Sequence, residues 1–344
     1  MPGLRRTMTG LDTTRYRCAK SPRWVDCSPG RAFKGAGASG TVRRDQLEYA
    51  IRAAVRFVGW IGVGRGHLAP LLTRCGMSTQ DDRVAAFHSL PSSGCFVMPN
   101  PWVAGSARAL EQFGFKALAT TSAGFAWTLG RADNDITLEQ TLEHLRVVAN
   151  AVDVPVNADF RGGFAVDPEQ VAVNVKLAVA TGIAGLSIED STGDQADPLY
   201  DFELALERVR AARQAIDESG TGIVLTGRSE GFVVGRPDIE ETIRRLRAYA
   251  DAGADCLYAP RIETVEQVAA VIAAISPKPV NLLINAPFVT VAEAAALGVR
   301  RISVGGTLAR VAWAGVLQAA QEIADAGTFS RFEGLPDVDA RFRR

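Results

Sequence analysis

Acidic, amide and guanidinium side chains stand at the ends of short apolar runs in this sequence. Asn157 and Asp159 end one run, Glu189 and Asp190 end the next, and Arg228 ends the one after that. Carboxylate and amide oxygens are hard ligands of the kind that Mg2+ prefers. The planar donor fork of Arg228 suits a carboxylate or phosphate of a substrate. The set predicts a site for a small, multiply anionic, metal-chelating molecule, such as a 2-oxo acid or its enolate.

A turn of small residues adds a second anion-binding feature. Thr121, Ser122 and Ala123 directly follow another apolar run and present backbone N–H groups there. Such groups, gathered in a turn or at the start of a helix, form a cradle for anions. Gly305-Gly306 follows the last run and resembles the phosphate-binding turn of barrel enzymes, with close helix packing as the alternative.

The charged residues also have structural interpretations that need no ligand. Glu189 and Arg228 can pair with each other, Asp159 can cap the loop that follows it, and Asp190 can be a structural cap or a solvated side chain. These alternatives stay open at the level of sequence.

Histidine and cysteine chemistry is disfavoured. None of the three histidines follows a predicted strand; they are His67, His88 and His144. The five cysteines are odd in number and widely spaced, and they include no Cys-x-x-Cys pair. The sequence therefore predicts neither a Ser-His-Asp or Cys-His mechanism nor a disulfide framework or zinc site.

The elements that must position these residues follow a regular pattern. Short β-branched runs alternate with longer amphipathic segments. The predicted strands are 95–99, 116–121, 154–159, 185–190, 222–228, 256–260, 279–284 and 301–306. The predicted helices are 104–113, 138–152, 168–180, 202–216, 239–252, 265–275, 291–297 and 308–326.

A glycine repeatedly joins a helix to the next strand, as Gly182 and Gly253 do, because glycine tolerates the left-handed backbone at a helix end. Eight such units predict a closed (β/α)8 TIM barrel, with an open doubly wound sheet as the alternative. Catalytic groups of such barrels lie at the carboxyl ends of the strands, where the residues above fall.

Charge divides the chain into two parts. Residues 1–76 hold 14 Lys and Arg against 4 Asp and Glu, whereas the other residues hold 24 against 34. We expect a basic, unstructured extension over 1–76, a barrel over 77–330 and a tail over 331–344. An acidic barrel is a poor partner for nucleic acid. The sequence has no run of about 18 apolar residues and no secretory signal, so we expect no membrane association and a cytoplasmic protein.

Motifs at successive strand ends carry a resemblance to a known family. In chain order they are Asn100-Pro101-Trp102-Val103-Ala104-Gly105-Ser106-Ala107, Thr120-Thr121-Ser122-Ala123-Gly124-Phe125-Ala126-Trp127, Leu129-Gly130-Arg131-Ala132-Asp133, Val156-Asn157-Ala158-Asp159-Phe160-Arg161-Gly162-Gly163-Phe164, Gly185-Leu186-Ser187-Ile188-Glu189-Asp190, Leu225-Thr226-Gly227-Arg228 and Gly253-Ala254-Asp255-Cys256-Leu257-Tyr258-Ala259-Pro260. Over residues 87–329 the sequence resembles the isocitrate lyase/phosphoenolpyruvate mutase family. That resemblance implies cleavage or formation of C–C or P–C bonds next to a carboxylate, with Mg2+ stabilising an enolate.

The resemblance also assigns roles. Substrate binding falls to Thr121, Ser122, Ala123 and Arg228. Metal binding falls to Asn157, Asp159 and Glu189. Catalytic roles fall to Asp133, Glu189 and Arg228. The resemblance leaves the acid or base unassigned, and we consider Asp190 and Tyr258 for it.

Several positions depart from the family's pattern. Asn157 replaces the first aspartate of the metal pair, which removes a charge and should weaken Mg2+ binding. The loop 191–198 lacks the Lys-Cys-Gly sequence of the lyases, and the lid lysine and asparagine of the mutases are missing. Val103 and Arg161 stand where the similar subgroup has Asp and Glu.

Three functions are therefore weighed. The first is a Mg2+-dependent C–C lyase that acts on a 2-oxo acid or an adduct of one. The alternatives are a phosphonate mutase or hydrolase on the same scaffold and a non-catalytic protein that binds an acidic metabolite. The resemblance also implies a homo-oligomer, in which the last helix is exchanged or packed between subunits.

Overall fold

A computed structural model describes residues 78–343. Eight parallel strands form one sheet, and helices alternate with them. The strands are β1 (Phe96–Met98), β2 (Leu118–Ala119), β3 (Val156–Asp159), β4 (Gly185–Glu189), β5 (Val224–Arg228), β6 (Cys256–Tyr258), β7 (Val280–Leu283) and β8 (Arg301–Ser303). They lie within the predicted runs but are shorter by one to four residues.

The sheet closes on itself. Each strand from β2 to β7 pairs with the next one along the chain, and β8 pairs with β1. The backbone N–H of Ala119 donates to Pro99 O at 3.1 Å, which joins the β1 and β2 regions. The predicted (β/α)8 barrel is confirmed, and the open doubly wound sheet is wrong.

The helices surround the strands, and three of them, two in the barrel region and one in the tail, are absent from the sequence prediction. They are α1 (Gln80–Ser89), α2 (Ala104–Gln112), α3 (Ser122–Thr128), α4 (Leu138–Ala149), α5 (Pro168–Val179), α6 (Phe202–Ser219), α7 (Ile239–Asp251), α8 (Val265–Ile275), α9 (Val291–Ala296), α10 (Thr307–Ala326) and α11 (Val338–Phe342). The unpredicted ones within the barrel region are α1 and α3, each a short helix with a threonine N-cap.

Local sequence fixes where the helices begin and end. Asp167 caps the first turn of α5, where Pro168 starts the helix, and Thr264 forms a capping box with Gln267 at α8. Gly182 and Gly253 follow α5 and α7 with φ of 92° and 98°. These are left-handed conformations that other residues avoid, so the glycine joints turn the chain sharply into the next strand.

Helix α1 packs at the end of the barrel where the strands begin. Its Arg83 donates from Nη1 to Ala149 O at the end of α4, at 3.0 Å, and from Nη2 to Gly182 O shortly before β4, at 3.2 Å. Its Phe87 is 2% exposed and packs edge-on against Phe96 of β1. The helix therefore covers the lower mouth of the barrel, and the open mouth lies at the carboxyl ends of the strands.

Residues 1–77 and Arg344 lie outside the described part of the chain, and so does the prediction made for residues 1–76. In the part that is described, no helix combines the length and the apolarity that crossing a bilayer requires.

Candidate active site

A cavity of about 270 Å3 opens at the carboxyl ends of the strands. Its wall includes Thr121, Asp159, Arg228, Tyr258 and Gly305, each of which ends a strand or closely follows one. In (β/α)8 barrels this rim carries the chemistry. The predicted location of the site is thus the location of a cavity large enough for a small metabolite.

Arg228 is the centre of the charged cluster in this cavity. Its Nη1 lies 3.2 Å from Asp159 Oδ1 and 3.2 Å from Glu189 Oε2. Its Nε donates to Glu230, whose side chain is 3% exposed. Strands β3 and β4 and the loop after β5 thus bring three carboxylates to one guanidinium. The pairing of Glu189 with Arg228 considered from sequence is present.

The cluster holds more negative than positive charge, and its pKa values reflect that. Burial raises the pKa of Glu189, with Arg228 opposing the rise and Asp159 adding to it. Burial likewise raises the pKa of Glu230 to about 8, again against the pull of Arg228. Burial alone would lower the pKa of Arg228, but Glu230, Glu189 and Asp159 together hold it well above its usual value. Arg228 is therefore a permanent cation.

The predicted anion-binding turn is the start of helix α3. Thr121 is its N-cap and accepts from Gly124 N through its hydroxyl. Ser122 N donates to Asp159 Oδ2 at 2.9 Å, and Ser122 Oγ donates to Asp133 Oδ1 at 3.1 Å. Burial and the nearby Asp159 raise the pKa of Asp133. The structure thus brings the turn, Asp133 and Asp159 together at one side of the cavity.

Asn157 lies two residues before Asp159 on β3 and lines the cavity below it. Its side chain is buried, and Oδ1 has no hydrogen-bond donor among the described residues. Gly185 of β4 leaves room for it, since a Cβ there would lie 2.8 Å from Oδ1. A buried carbonyl oxygen without a donor is costly, so this oxygen suits a donor or cation brought by a ligand.

The carboxylates fit a magnesium ion that is bound largely through water. Asp159 and Glu189 both lie 3.2 Å from the same nitrogen of Arg228, so the two carboxylates are close enough together to share one cation. Mg2+ is commonly held by one or two carboxylates and several waters. Within residues 78–343, however, no group of three or more His, Cys, Asp and Glu side chains is arranged as a metal cage.

Asp190 is not available as an acid or base, which corrects one of the two sequence candidates. It is 2% exposed and accepts from Glu230 N at 2.7 Å, Tyr249 Oη at 2.7 Å and Arg245 Nη1 at 3.2 Å. Its carboxylate points away from the cavity into these partners. Asp190 therefore anchors the loop after β5, and the structural interpretation of this residue is correct.

Tyr258, the other sequence candidate, does face the cavity. Its ring lies 5.2 Å from the guanidinium carbon of Arg228. Burial raises its pKa to about 12, with Arg228 opposing the rise. The phenol is therefore protonated at neutral pH and adjacent to the charged cluster.

Sequence reasoning missed Glu230, Asn281 and Arg301. Glu230 follows Arg228 by two residues, and the other two lie inside β7 and β8. Each lies two residues from another residue of the site: Glu230 from Arg228, Asn281 from Leu283 and Arg301 from Ser303. Because every second side chain of a strand faces the same way, this spacing of two was the signal that could have identified them.

His144 of α4 has a structural role, as expected for a histidine away from the strand ends. Its ring stacks on Phe125 with centroids 4.0 Å apart, and Nε2 lies 3.0 Å from Trp102 O. Burial lowers its pKa to about 4, with the Trp102 contact opposing the shift. The neutral ring thus supports helix α3, which carries the anion-binding turn.

The lowered pKa makes a prediction for stability. Because the folded pKa is about 4 and an unfolded histidine titrates near 6.5, the stabilisation is complete above pH 6.5. It should be lost as the pH falls to about 4, by about 3 kcal/mol in total. Urea unfolding of wild type and His144→Gln between pH 7 and 4 measures it. The wild type should show the steeper loss, and equal slopes would contradict the assignment.

The fold and the site define a (β/α)8 barrel protein whose rim cavity is lined by a guanidinium and carboxylates. The family model described as phosphoenolpyruvate phosphomutase matches residues 87–324. The chain belongs to this family, which confirms the predicted resemblance. It also confirms, at the level of the superfamily, an enzyme of the carbon–carbon lyase type.

Several known proteins are similar to this chain over most of the barrel. An uncharacterized protein of Mycobacterium tuberculosis (strain H37Rv) is 30% identical over 258 residues, which are 74% of this chain and 95% of that protein. The oxaloacetate decarboxylase of Rhodopseudomonas palustris (strain BisB5) is 30% identical over 58% of this chain and 69% of its own length. A solved structure of a candidate lyase/mutase from Burkholderia cenocepacia J2315 is 42% identical, with a TM-score of 0.74, and covers 76% of this chain and 97% of that one.

Two further solved structures contain a bound ligand. Oxaloacetate acetylhydrolase in complex with its product oxalate is 28% identical, with a TM-score of 0.68, and covers 76% of this chain and 93% of that one. Phosphonopyruvate hydrolase in complex with oxalate and Mg2+ is 26% identical, with a TM-score of 0.67 and the same coverage.

Proposed function

We propose that this protein is a Mg2+-dependent lyase that cleaves a C–C bond next to a carboxylate and passes through a pyruvate-like enolate. The observation that carries the proposal is the position of Asp159 and Arg228 in one cavity beside the start of helix α3, with Glu189 in contact with the same guanidinium nitrogen. The oxalate bound to two similar proteins, in one of them with Mg2+, supports the same chemistry, because oxalate has the shape and charge of a pyruvate enolate.

The substrate carboxylate would be held by Arg228 and by the turn of Thr121, Ser122 and Ala123. Arg228 is a permanent cation, and the turn lies at the N-terminus of α3, which favours negative charge. Asp133 positions the turn through Ser122 Oγ. These groups orient the substrate and exclude water from its carboxylate.

Asp159 and Glu189 are the residues that would hold Mg2+, and Asn157 offers an uncharged oxygen below them. When bound, the ion supplies positive charge that stabilises the enolate oxygen. Because Asn157 is uncharged, only the two carboxylates of Asp159 and Glu189 would hold the ion. We therefore expect the protein to bind Mg2+ weakly. Arg228 lies between these carboxylates and shares the task of countering the substrate's charge.

Tyr258 is the group that we propose delivers a proton to the enolate carbon, because its neutral phenol faces the cavity. Tyr258→Phe should slow turnover by about 10²-fold, the usual contribution of a positioned acid or base. Its affinity for oxalate, measured by calorimetry, should stay within about twofold of wild type, since the charged cluster is intact. An unchanged rate would mean that water or another residue supplies the proton.

The direct test of the reaction is a substrate panel. The full-length protein is incubated with and without Mg2+ and supplied with oxaloacetate, branched malate derivatives or phosphonopyruvate. The proposal predicts release of pyruvate or another 2-oxo acid from the carbon substrates only when Mg2+ is present. Phosphate release from phosphonopyruvate would favour the P–C alternative, and ligand binding without any turnover would favour a non-catalytic protein.

We further propose that α10 contacts a second copy of this chain. Only Ala309 of its 20 residues is buried, and Val311, Val316 and Leu317 are 65%, 58% and 61% exposed. Contiguous apolar surface of this kind marks an interface. The structure shows no partner for it, so the support is this exposed apolar surface together with the family's expected exchange of the last helix.

Charge placed on that helix tests the oligomer. Val316→Asp should shift the protein to a smaller species in light scattering coupled to size exclusion, because a buried carboxylate in the interface is costly. Val173→Asp is the matched control, since Val173 is 50% exposed on α5 of the outer ring. If both variants elute as wild type does, α10 is not an interface.

A further inference from the structure

Left-handed backbone is confined to four non-glycine residues in the described part of the chain, and three of them lie together close to Asp133. Arg161 and Phe164 follow β3 with φ of 52° and 58°, and Asn134 follows Asp133 with φ of 74°. A residue with a side chain adopts this backbone at a cost and keeps it only where surrounding contacts hold it there. The side chain of Arg161 contacts both of the other two residues.

Arg161 joins the segment after β3 to the segment that carries Asp133. Its Nη1 donates to Asn134 O at 3.3 Å, and its backbone O accepts from Glu189 N at 3.0 Å. Its guanidinium carbon lies 5.4 Å from the centre of the Phe164 ring. The side chain is half-buried, and within residues 78–343 Asn134 O is the one hydrogen-bond acceptor of the guanidinium. This contact is therefore the one through which the side chain ties the two segments together.

The contact with Asn134 bears directly on Asp133. Asn134 N donates to Asp133 Oδ1 at 3.0 Å, and the same oxygen accepts from Ser122 Oγ at 3.1 Å. Asp133 lines the cavity, and Ser122 begins α3, where its N donates to Asp159 Oδ2 at 2.9 Å. A short chain of hydrogen bonds thus runs from Arg161 through Asn134 and Asp133 to the anion-binding turn.

The segment 130–135 has little apolar packing of its own, since Gly130, Arg131 and Asn134 are exposed. Burial and the nearby Asp159 raise the pKa of Asp133, and Arg161 opposes the rise. Two like charges at one site favour separation, and a cation close to both opposes it. In the described part of the chain, the contact with Arg161 is the one hydrogen bond that ties this segment to the segment after β3. Arg161 therefore stabilises the observed position of the segment 130–135.

We infer that Arg161 is a positioning residue for the substrate-binding turn. It holds the segment 130–135 in place, so that Asp133 keeps Ser122 and the start of α3 in the orientation that receives the substrate carboxylate. The inference rests on the proposed function, which assigns the turn to that carboxylate. Arg161 does not line the cavity, so it acts through Asn134 and Asp133. A purely structural arginine would change stability without changing ligand affinity.

Calorimetric titration of oxalate into the full-length protein with Mg2+ measures this effect. Arg161→Met removes the donor and keeps the apolar stem, and we expect a loss of affinity of about fivefold, the net effect of one hydrogen bond. Arg161→Lys, which can still donate to Asn134 O, should recover most of the affinity. Arg161→Gly should lose affinity as Arg161→Met does and stay folded, because glycine adopts left-handed backbone without steric cost. With a substrate that turns over, KM should rise about fivefold and kcat should stay within about twofold of wild type.

Hydrogen exchange of the ligand-free protein reports on the segment itself. Peptides that cover 130–135, which include the Asn134 amide bonded to Asp133, should exchange faster in Arg161→Met and Arg161→Gly than in the wild type. Arg247→Met is the matched control, because Arg247 Nε donates to Ala274 O at the same distance, 3.3 Å, on α7 of the outer ring. It should behave as wild type does in both measurements, and melting temperatures establish that each variant is folded.

An oxalate affinity within about twofold of wild type in both Arg161→Met and Arg161→Gly would overturn the inference. So would a loss of affinity without faster exchange at 130–135, or a lysine variant that binds no better than the methionine variant. Failure of the proposed function would look different, because oxalate would then not bind the wild type, whereas exchange at 130–135 would still respond to Arg161→Met.

Discussion

Glu189→Gln should lower kcat/KM by about 10²- to 10³-fold, the effect of removing one charged group from a site that stabilises charge electrostatically. Glutamine keeps the size of the side chain and its contact with Ser191 Oγ, which lies 3.0 Å from Glu189 Oε1. It removes one of the two carboxylates that converge on Arg228 Nη1. Mg2+ should bind more weakly, and Arg228 should lose one of the groups that orient it.

A control for Glu189→Gln needs the same glutamate-to-glutamine change at a position away from the site. Glu207→Gln on α6 provides it, because Glu207 is exposed and has no ion-pair partner among the described residues. Rates are measured over a range of Mg2+ concentrations so that loss of affinity and loss of turnover can be told apart. If Glu189→Gln and Glu207→Gln both turn over like wild type, Glu189 is only a partner of Arg228 and the assigned role is wrong.

Asp190→Ala should lower the free energy of unfolding by about 3–5 kcal/mol, the range for breaking a buried ion pair by removing one partner. The substitution removes the carboxylate that contacts the buried guanidinium of Arg245. It also removes the hydrogen-bond acceptor of Tyr249 Oη and of Glu230 N. Urea denaturation measures the loss. Asp197→Ala in the exposed loop after β4 is the control and should change stability by less than about 0.5 kcal/mol.

This result would also separate a structural Asp190 from a catalytic one. A folded variant of wild-type stability that has lost turnover would mean that Asp190 acts on the substrate, contrary to its geometry. Asp190→Asn keeps an acceptor for Glu230 N, so we expect it to lose less stability than Asp190→Ala does.

The barrel was predictable because its signals are local. Gly182 and Gly253 mark the ends of α5 and α7, and these glycines are recognisable from the sequence alone. Strand bounds were less predictable, as β2 shows: the run 116–121 reduces to Leu118–Ala119 because pairing with β3, rather than apolar character, sets its length. Helices α1 and α3 escaped prediction because each is short and its apolar face is defined by distant contacts.

The site was predictable only in part, for the same reason. Asp159, Glu189 and Arg228 end strands, and the barrel rule alone brings such residues together. The partners of Asp190, by contrast, are Arg245 and Tyr249 on α7, 55 and 59 residues further along the chain. No spacing in the sequence encodes those contacts. Arg301 is a similar case, because its hydrogen-bond partners Asn281 and Thr226 lie on other strands of the barrel.

The central claim, a metal-assisted enolate site, is tested most directly by the melting temperature of the full-length protein with oxalate and Mg2+, separately and together. A ligand that binds only the folded state raises apparent stability by mass action. We predict little shift with either one alone and a clear upward shift with both, reduced in Glu189→Gln. No shift with the pair, or a shift by oxalate that does not depend on Mg2+, would contradict the claim.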